Sequence, residues 1–134
     1  MAHTLDTLLA ALDELDPALP VTFAGPQGAT QGHWHVTRVT LSDRRHVDCD
    51  GGRDADRATV VELLDGPPGA PMDVRRLAGI LGRSRAALPG AGDAPLQVFH
   101  RSVRATVEGV ADGTIRMAPV RAACRPAGRV GCCA

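Results

Sequence analysis

The chain of 134 residues contains no lysine, no asparagine and no tyrosine, and its aromatics are limited to two phenylalanines and one tryptophan. With so few rings, a core has to be assembled from Leu, Val, Ala, Ile and Met. All 15 basic residues are arginine, and they are matched by 15 acids, for a formal net charge of zero. This balance argues against general nucleic-acid binding, which draws on clustered positive charge. No run approaches the roughly 18 apolar residues of a membrane-spanning helix. Met1 to Leu15 sets acids among its leucines and has no basic leader, so it reads as part of the fold and not as a signal peptide. The expected compartment is the cytoplasm, where cysteines are more often free thiols or ligands than a disulfide framework. The mononucleotide and dinucleotide glycine loops and the nucleophile-elbow serine motif are missing as well.

The apolar pattern is that of one α+β domain over residues 1–120. Leu5, Leu8, Leu9, Leu12 and Leu15 recur at the spacing of one helix face, behind Thr4 as a candidate N-cap and ahead of Pro17. A second helix is expected from Met72 to Leu88, with Asp73 near its start. Strands are expected at Val21–Phe23 (short), His33–Leu41, His46–Asp50, Thr59–Leu64, Leu96–His100, Val103–Val110 and Thr114–Val120. Ser42–Arg45 reads as a turn between the second and third of these, and Asp112-Gly113 is a strong hairpin signal. The short connections imply two helices packed on one face of a mostly antiparallel sheet of about six strands. Residues 121–134 show no apolar periodicity and contain Pro126, Gly128 and Gly131, so they read as a mobile tail.

That tail carries the most pointed chemistry. Cys124, Cys132 and Cys133 fall within the last eleven residues, and the last two are adjacent. Thiolates are soft ligands for thiophilic ions. A vicinal pair favours a large, soft centre, and Cys124 can loop in across Gly128 and Gly131 as a third sulfur. Three sulfurs suit a trigonal pyramidal centre such as As(III), whereas zinc asks for a fourth ligand.

A second constellation is His33-Trp34-His35. On a strand, the period of two places both imidazoles on one face. Cys49 and His46 lie on the expected partner strand, so a His33/His35/Cys49 metal site depends on the hairpin register. A two-residue turn at Asp43-Arg44 would set Cys49 opposite Arg38. The plainer alternative is that the histidines are surface or half-buried groups and that Cys49 is a small core residue. A Cys49 nucleophile with His35 or His46 as base is a third arrangement, but no residue is evident to orient that base. Asp48, Asp50, Asp54 and Asp56 around Gly51-Gly52 do not meet the calcium-loop pattern. They read as a solvated loop of mixed charge, and the chain therefore reads as a binder more than as an enzyme.

The segments His33-Trp34-His35-Val36-Thr37-Arg38-Val39 and His46-Val47-Asp48-Cys49-Asp50-Gly51-Gly52, with the cysteine-bearing C-terminus, resemble a family of small bacterial proteins encoded in arsenic-resistance gene clusters. The family pattern is an H-x-H-V-T-x-V strand, a D-C-G-G turn and a terminal thiol cluster. The matching positions are His33, His35, Thr37, Cys49, Gly52, Cys124, Cys132 and Cys133. Asp50 interrupts the D-C-G-G run, and Arg38 stands where an acid is usual. The resemblance implies a context of arsenic or metal stress, places As(III) above zinc as the guest of the tail, and implies no particular activity. It leaves open three readings: a soft-ion binder without a resident cofactor, a module docking a protein partner from a resistance operon, and a Cys/His enzyme acting on an arsenical.

Overall fold

The computed structural model describes residues 3–120. The expected tail, 121–134, with Cys124, Cys132 and Cys133, lies outside the described residues.

The first helix, α1 (Leu5–Asp13), starts where the sequence places a cap. The Thr4 hydroxyl accepts the Thr7 N–H at 3.1 Å, and the Thr7 hydroxyl accepts the Thr4 N–H at 2.8 Å, a reciprocal capping box. Leu5, Leu8 and Leu12 are buried along one stripe of this helix. The second, α2 (Val74–Ala87), is capped by Asp73, whose Oδ1 accepts the Arg76 N–H at 2.8 Å. It buries Val74, Leu77 and Leu81. An Asp6–Arg85 ion pair ties the two helices together.

The strands are β1 (Thr22–Gly25), β2 (Gly28–Ala29), β3 (His35–Val47), β4 (Arg53–Leu64), β5 (Leu96–His100), β6 (Val103–Ala111) and β7 (Thr114–Pro119). They form one sheet in the order β2-β1-β7-β6-β5-β4-β3. The fold is α+β as expected, but the sheet has seven strands and is mixed. Antiparallel pairs join β1 to β2, β3 to β4, β5 to β6 and β6 to β7, whereas β1 runs parallel to β7 and β4 parallel to β5. The second parallel pair follows from α2, which crosses from the end of β4 back to the start of β5; a parallel neighbour requires such a crossover.

Val61, Val98 and Ala105 sit at matching positions of β4, β5 and β6 and, with Phe23, Leu96, Val107 and Ile115, meet the leucines of both helices in a single core. Full burial of each Val, Leu, Ile or Phe side chain among them contributes about 1.5–3 kcal/mol relative to exposure. The one tryptophan anchors one edge of it. Trp34 is fully buried, stands edge-on to Phe23 with ring centroids 5.4 Å apart, and donates Nε1–H to the Val21 carbonyl at 3.0 Å. The chain beside it is drawn tight against residues 65–67. The His33 N–H donates to the Pro67 carbonyl at 2.9 Å, and Gly66 approaches so closely that a Cβ there would lie 2.0 Å from the His33 carbonyl oxygen. Only glycine fits at that crossing.

The hairpin of β3 and β4 corrects the sequence reading most. Ser42–Arg45 is the middle of a thirteen-residue strand and not a turn, and His46 and Val47 close that strand. The Thr59–Leu64 segment is the inner half of a twelve-residue strand that begins at Arg53. The reversal occurs at residues 48–52, because Val47 pairs with Arg53. Arg38 accordingly pairs with Glu62 and not with Cys49.

Candidate functional site

β4 is paired to β5 only from Thr59 to Glu62. Beyond Thr59, β3 and β4 pair only with each other among the described residues, and they continue as a two-stranded ribbon to the Val47–Arg53 pair. Its residues 53–57 are all exposed. With no second layer among the described residues to bury a face, the ribbon is held by its backbone ladder and by cross-strand charge pairs. Asp43 faces Arg57, with Oδ1 3.5 Å from Nε. Arg44 faces Asp56 and binds it through two hydrogen bonds, Nε to Oδ1 at 3.1 Å and Nη2 to Oδ2 at 3.3 Å. His46 adds a diagonal contact, Nε2 to Asp56 Oδ2 at 2.8 Å. The His46 hydrogen bond, joined by the hydrogen bond and charge of Arg44, holds the Asp56 carboxyl below the usual carboxylate range against a smaller opposing effect of burial. Residues 43–47 and 53–57 line an open concave surface enclosing about 1080 Å³.

The tip of the ribbon is a tight reversal. The Asp48 N–H donates to the Gly52 carbonyl at 2.6 Å, the Gly51 N–H to the Asp48 carbonyl at 2.9 Å, and the Gly52 N–H to Asp50 Oδ1 at 3.1 Å. Gly51 has φ of 87°, a conformation that costs side-chain-bearing residues about 1–2 kcal/mol. This turn presents Cys49 at its apex, exposed to solvent. The side chain is neither a core residue nor a free thiol: it is disulfide-bonded.

His33 and His35 are at the other end of β3. His35 opens the strand opposite Leu64, and His33 precedes it with Nδ1 3.1 Å from the Ala70 carbonyl oxygen. Both are exposed and flank the buried Trp34. Twelve strand steps separate His35 from Val47, which at about 3.3 Å each is on the order of 40 Å. The structure therefore does not bring His33 and His35 together with Cys49, as a shared metal site or as a Cys49–His35 catalytic pair. The reason is the turn: residues 48–52 reverse the chain, where the sequence reading used residues 42–45. Among the described residues no group of three or more His, Cys, Asp or Glu side chains is gathered to hold a metal ion. Among the same residues no helix is long and apolar enough to cross a membrane.

A cluster that the sequence did not announce lies where β4 ends. Asp65 Oδ1 accepts the Gln31 N–H at 2.8 Å and lies 2.9 Å from His100 Nε2, while Oδ2 accepts Arg101 Nε–H at 2.9 Å. Arg101 Nη1 donates to the Gln27 carbonyl and Gln27 Nε2 to the His100 carbonyl, both at 2.9 Å. Burial by itself raises the Asp65 pKa, but the Gln31, His100 and Arg101 hydrogen bonds and the adjacent imidazole outweigh it and bring the carboxyl down to about 2. His100 is 1% exposed, and its Nδ1 has no hydrogen-bond partner among the described residues. Arg101 and Ser102 form the two-residue turn from β5 to β6 with φ of 53° and 63°, the left-handed pair of a tight hairpin without its usual glycine or asparagine. The carboxylate thus joins the end of β4, the β5–β6 turn and the β1–β2 turn. The single hint in the sequence was His100 at the core parity of Leu96 and Val98, a polar group on an apolar face.

The chain matches no family model, no curated protein and no solved structure.

Proposed function

We propose that the protein is a cytoplasmic, non-catalytic binder of a thiophilic metalloid or soft metal ion, As(III) foremost, acting through Cys124, Cys132 and Cys133 in an arsenic or metal stress response. The observation that carries the reading is the density of thiols: three within the last eleven residues of a chain that has only four. The likeness to proteins of arsenic-resistance clusters supports the choice of guest. Arsenous acid and three thiols give a trigonal As–S₃ centre and three waters, so that reaction leaves no net proton behind. A divalent ion binding the same thiols releases protons and loses affinity as pH falls, which separates the two guests. The role is sequestration or hand-off, with a resistance-operon protein as recipient and neither nucleic acid nor membrane as target.

The test is a titration of arsenite against fully reduced protein and its Cys132→Ser/Cys133→Ser variant. The variant is expected to lose tight binding; equal affinity for the two proteins would remove the tail from the reading.

A second reading, a module that docks a protein partner, is favoured by the ribbon. Among the described residues β3 is a thirteen-residue edge strand, and Val47 at its end is 73% exposed. Long open edges are templates for strand addition. A pull-down from cells carrying the resistance operon, using protein truncated after residue 120, separates the readings. A partner retained without the tail supports docking through the sheet, and a partner lost with it counts against that.

A further inference from the structure

The outer half of β3 is a strand edge whose side-chain pattern is its own complement. Among the described residues β3 has a neighbour on one side only, β4, so a row of backbone N–H and C=O groups faces outward along its other side. Such a row accepts a further strand. The ribbon also has reason to take one, because a two-stranded hairpin without further strands or a covered face is only marginally stable in water. Residues 41–47 pair with β4 without a register shift, so Leu41, Asp43, Arg45 and Val47 share one face and Ser42, Arg44 and His46 the other. About Arg44 the segment is symmetric in chemistry. Asp43 and Arg45 carry opposite charges, Ser42 and His46 are both polar, and Leu41 and Val47 are both apolar. The charges at the symmetric positions have capacity to spare. Asp43 meets Arg57 at 3.5 Å and its side chain is still 75% exposed, while Arg45 is exposed and in no ion pair among the described residues.

We propose that β3 pairs antiparallel with β3 of a second copy of this chain, about a two-fold axis that passes through Arg44 perpendicular to the sheet. Residues equidistant from Arg44 then face each other across the interface. Asp43 faces the partner's Arg45, and Arg45 the partner's Asp43, which sets opposite charges directly opposed on both sides of the axis. Leu41 faces the partner's Val47 at each end, and Ser42 faces the partner's His46. The two Arg44 side chains meet at the axis, each already engaged by two hydrogen bonds to its own Asp56. Neighbouring registers lack this match. Moving the axis one residue either way sets Asp43 or Arg45 against its own copy. An axis at Ser42 sets Leu41 against Asp43, one at Leu41 sets Arg44 against Arg38, and one at Thr40 forms no charge pair between Asp43 and Arg45. In the register proposed, each arm lies along the β3 edge of the other body, and two seven-stranded sheets join into one. Seven residues from each chain make a ladder about 20 Å long. An interface this short and polar belongs with weak, concentration-dependent associations.

The experiment is sedimentation velocity of the full-length protein at low salt, from about 5 μM to about 0.5 mM, with reductant present so that no disulfide links two chains. Wild type is expected to pass from monomer to dimer across this range. Asp43→Arg and Arg45→Asp each bring two like-charged pairs face to face, and each variant alone is expected to dimerise at least about tenfold more weakly. An equimolar mixture of the two variants restores opposite charges at both positions and is expected to recover dimers, each holding one copy of either variant. Wild type that stays monomeric at about 0.5 mM overturns the proposal and leaves the edge to a different protein. Dimers that neither substitution weakens overturn the β3 interface. Variants that fail to dimerise alone and fail again when mixed overturn the axis at Arg44.

Discussion

The body of the molecule and the ribbon that leaves it are both β-structure, but they are stabilised by different forces. In the body, Val61, Val98 and Ala105 line up across three strands beneath α1 and α2, and order follows from apolar area removed from water. In the ribbon, residues 43–47 and 53–57 have no layer above or below them among the described residues, and order follows from a backbone ladder and ion pairs such as Arg44–Asp56. The first mechanism is strong and non-directional. The second is weak, salt-sensitive and dependent on register.

Truncating one side chain in each region gives the widest contrast. Leu77→Ala, at a fully buried position on α2, is expected to cost about 2–5 kcal/mol through lost transfer energy and the cavity left behind. Val47→Ala, on the ribbon, is expected to stay within about 0.5 kcal/mol of wild type. Urea denaturation midpoints measure both. A ribbon substitution as costly as the core one would mean that the ribbon packs against something that buries Val47.

The Asp65 cluster belongs to the body but is polar, and pH tests it. Its carboxyl is held at about 2 against a reference of 3.8. A depressed folded-state pKa contributes stability that is fully present above the unfolded value, near pH 4, and is lost as pH falls through that value toward 2. The contribution is on the order of 2 kcal/mol at neutral pH, given that the side chain is 27% exposed. Asp65→Asn is expected to destabilise by a similar amount at pH 7, and its stability should fall less steeply than that of wild type between pH 4 and 2. Parallel pH profiles for the two proteins would show that Asp65 is not the titrating group.

How much of this was legible in the sequence follows the same division. Thr4 with the leucine stripe, Asp73 before α2, the Leu96–His100 strand and the Asp112-Gly113 reversal were readable because each signal is local and one face is buried. The outer hairpin was misread because a ribbon without a buried face has no period of two. Ser42-Asp43-Arg44-Arg45 looks like a turn until Asp43 and Arg44 are seen against Arg57 and Asp56, partners twelve or more residues away. The parallel β1–β7 pairing joins the two ends of the domain, and no local pattern encodes it. For the candidate site, the cysteines were conspicuous as residue types. Placing Cys49 required the true turn, and the Asp65–His100–Arg101 contacts span 35 and 36 residues.

The ribbon's own charges provide the finest test of the comparison. Asp56→Asn removes the carboxylate shared by Arg44 and His46, whose side chains are 42% and 37% exposed. Exposed pairs of this kind are worth about 0–1 kcal/mol, and salt screens them within about 10 Å at 0.1 M. The global denaturation midpoint should therefore barely move. Amide exchange within residues 43–47 and 53–57 should accelerate, because this segment opens without unfolding the body. Raising the ionic strength should bring wild type toward the variant's exchange rates while leaving the β5 and β6 amides unchanged. Exchange that accelerates equally in ribbon and body would show that the two regions open as one cooperative unit, and that the ion pairs of the arm help to hold the core.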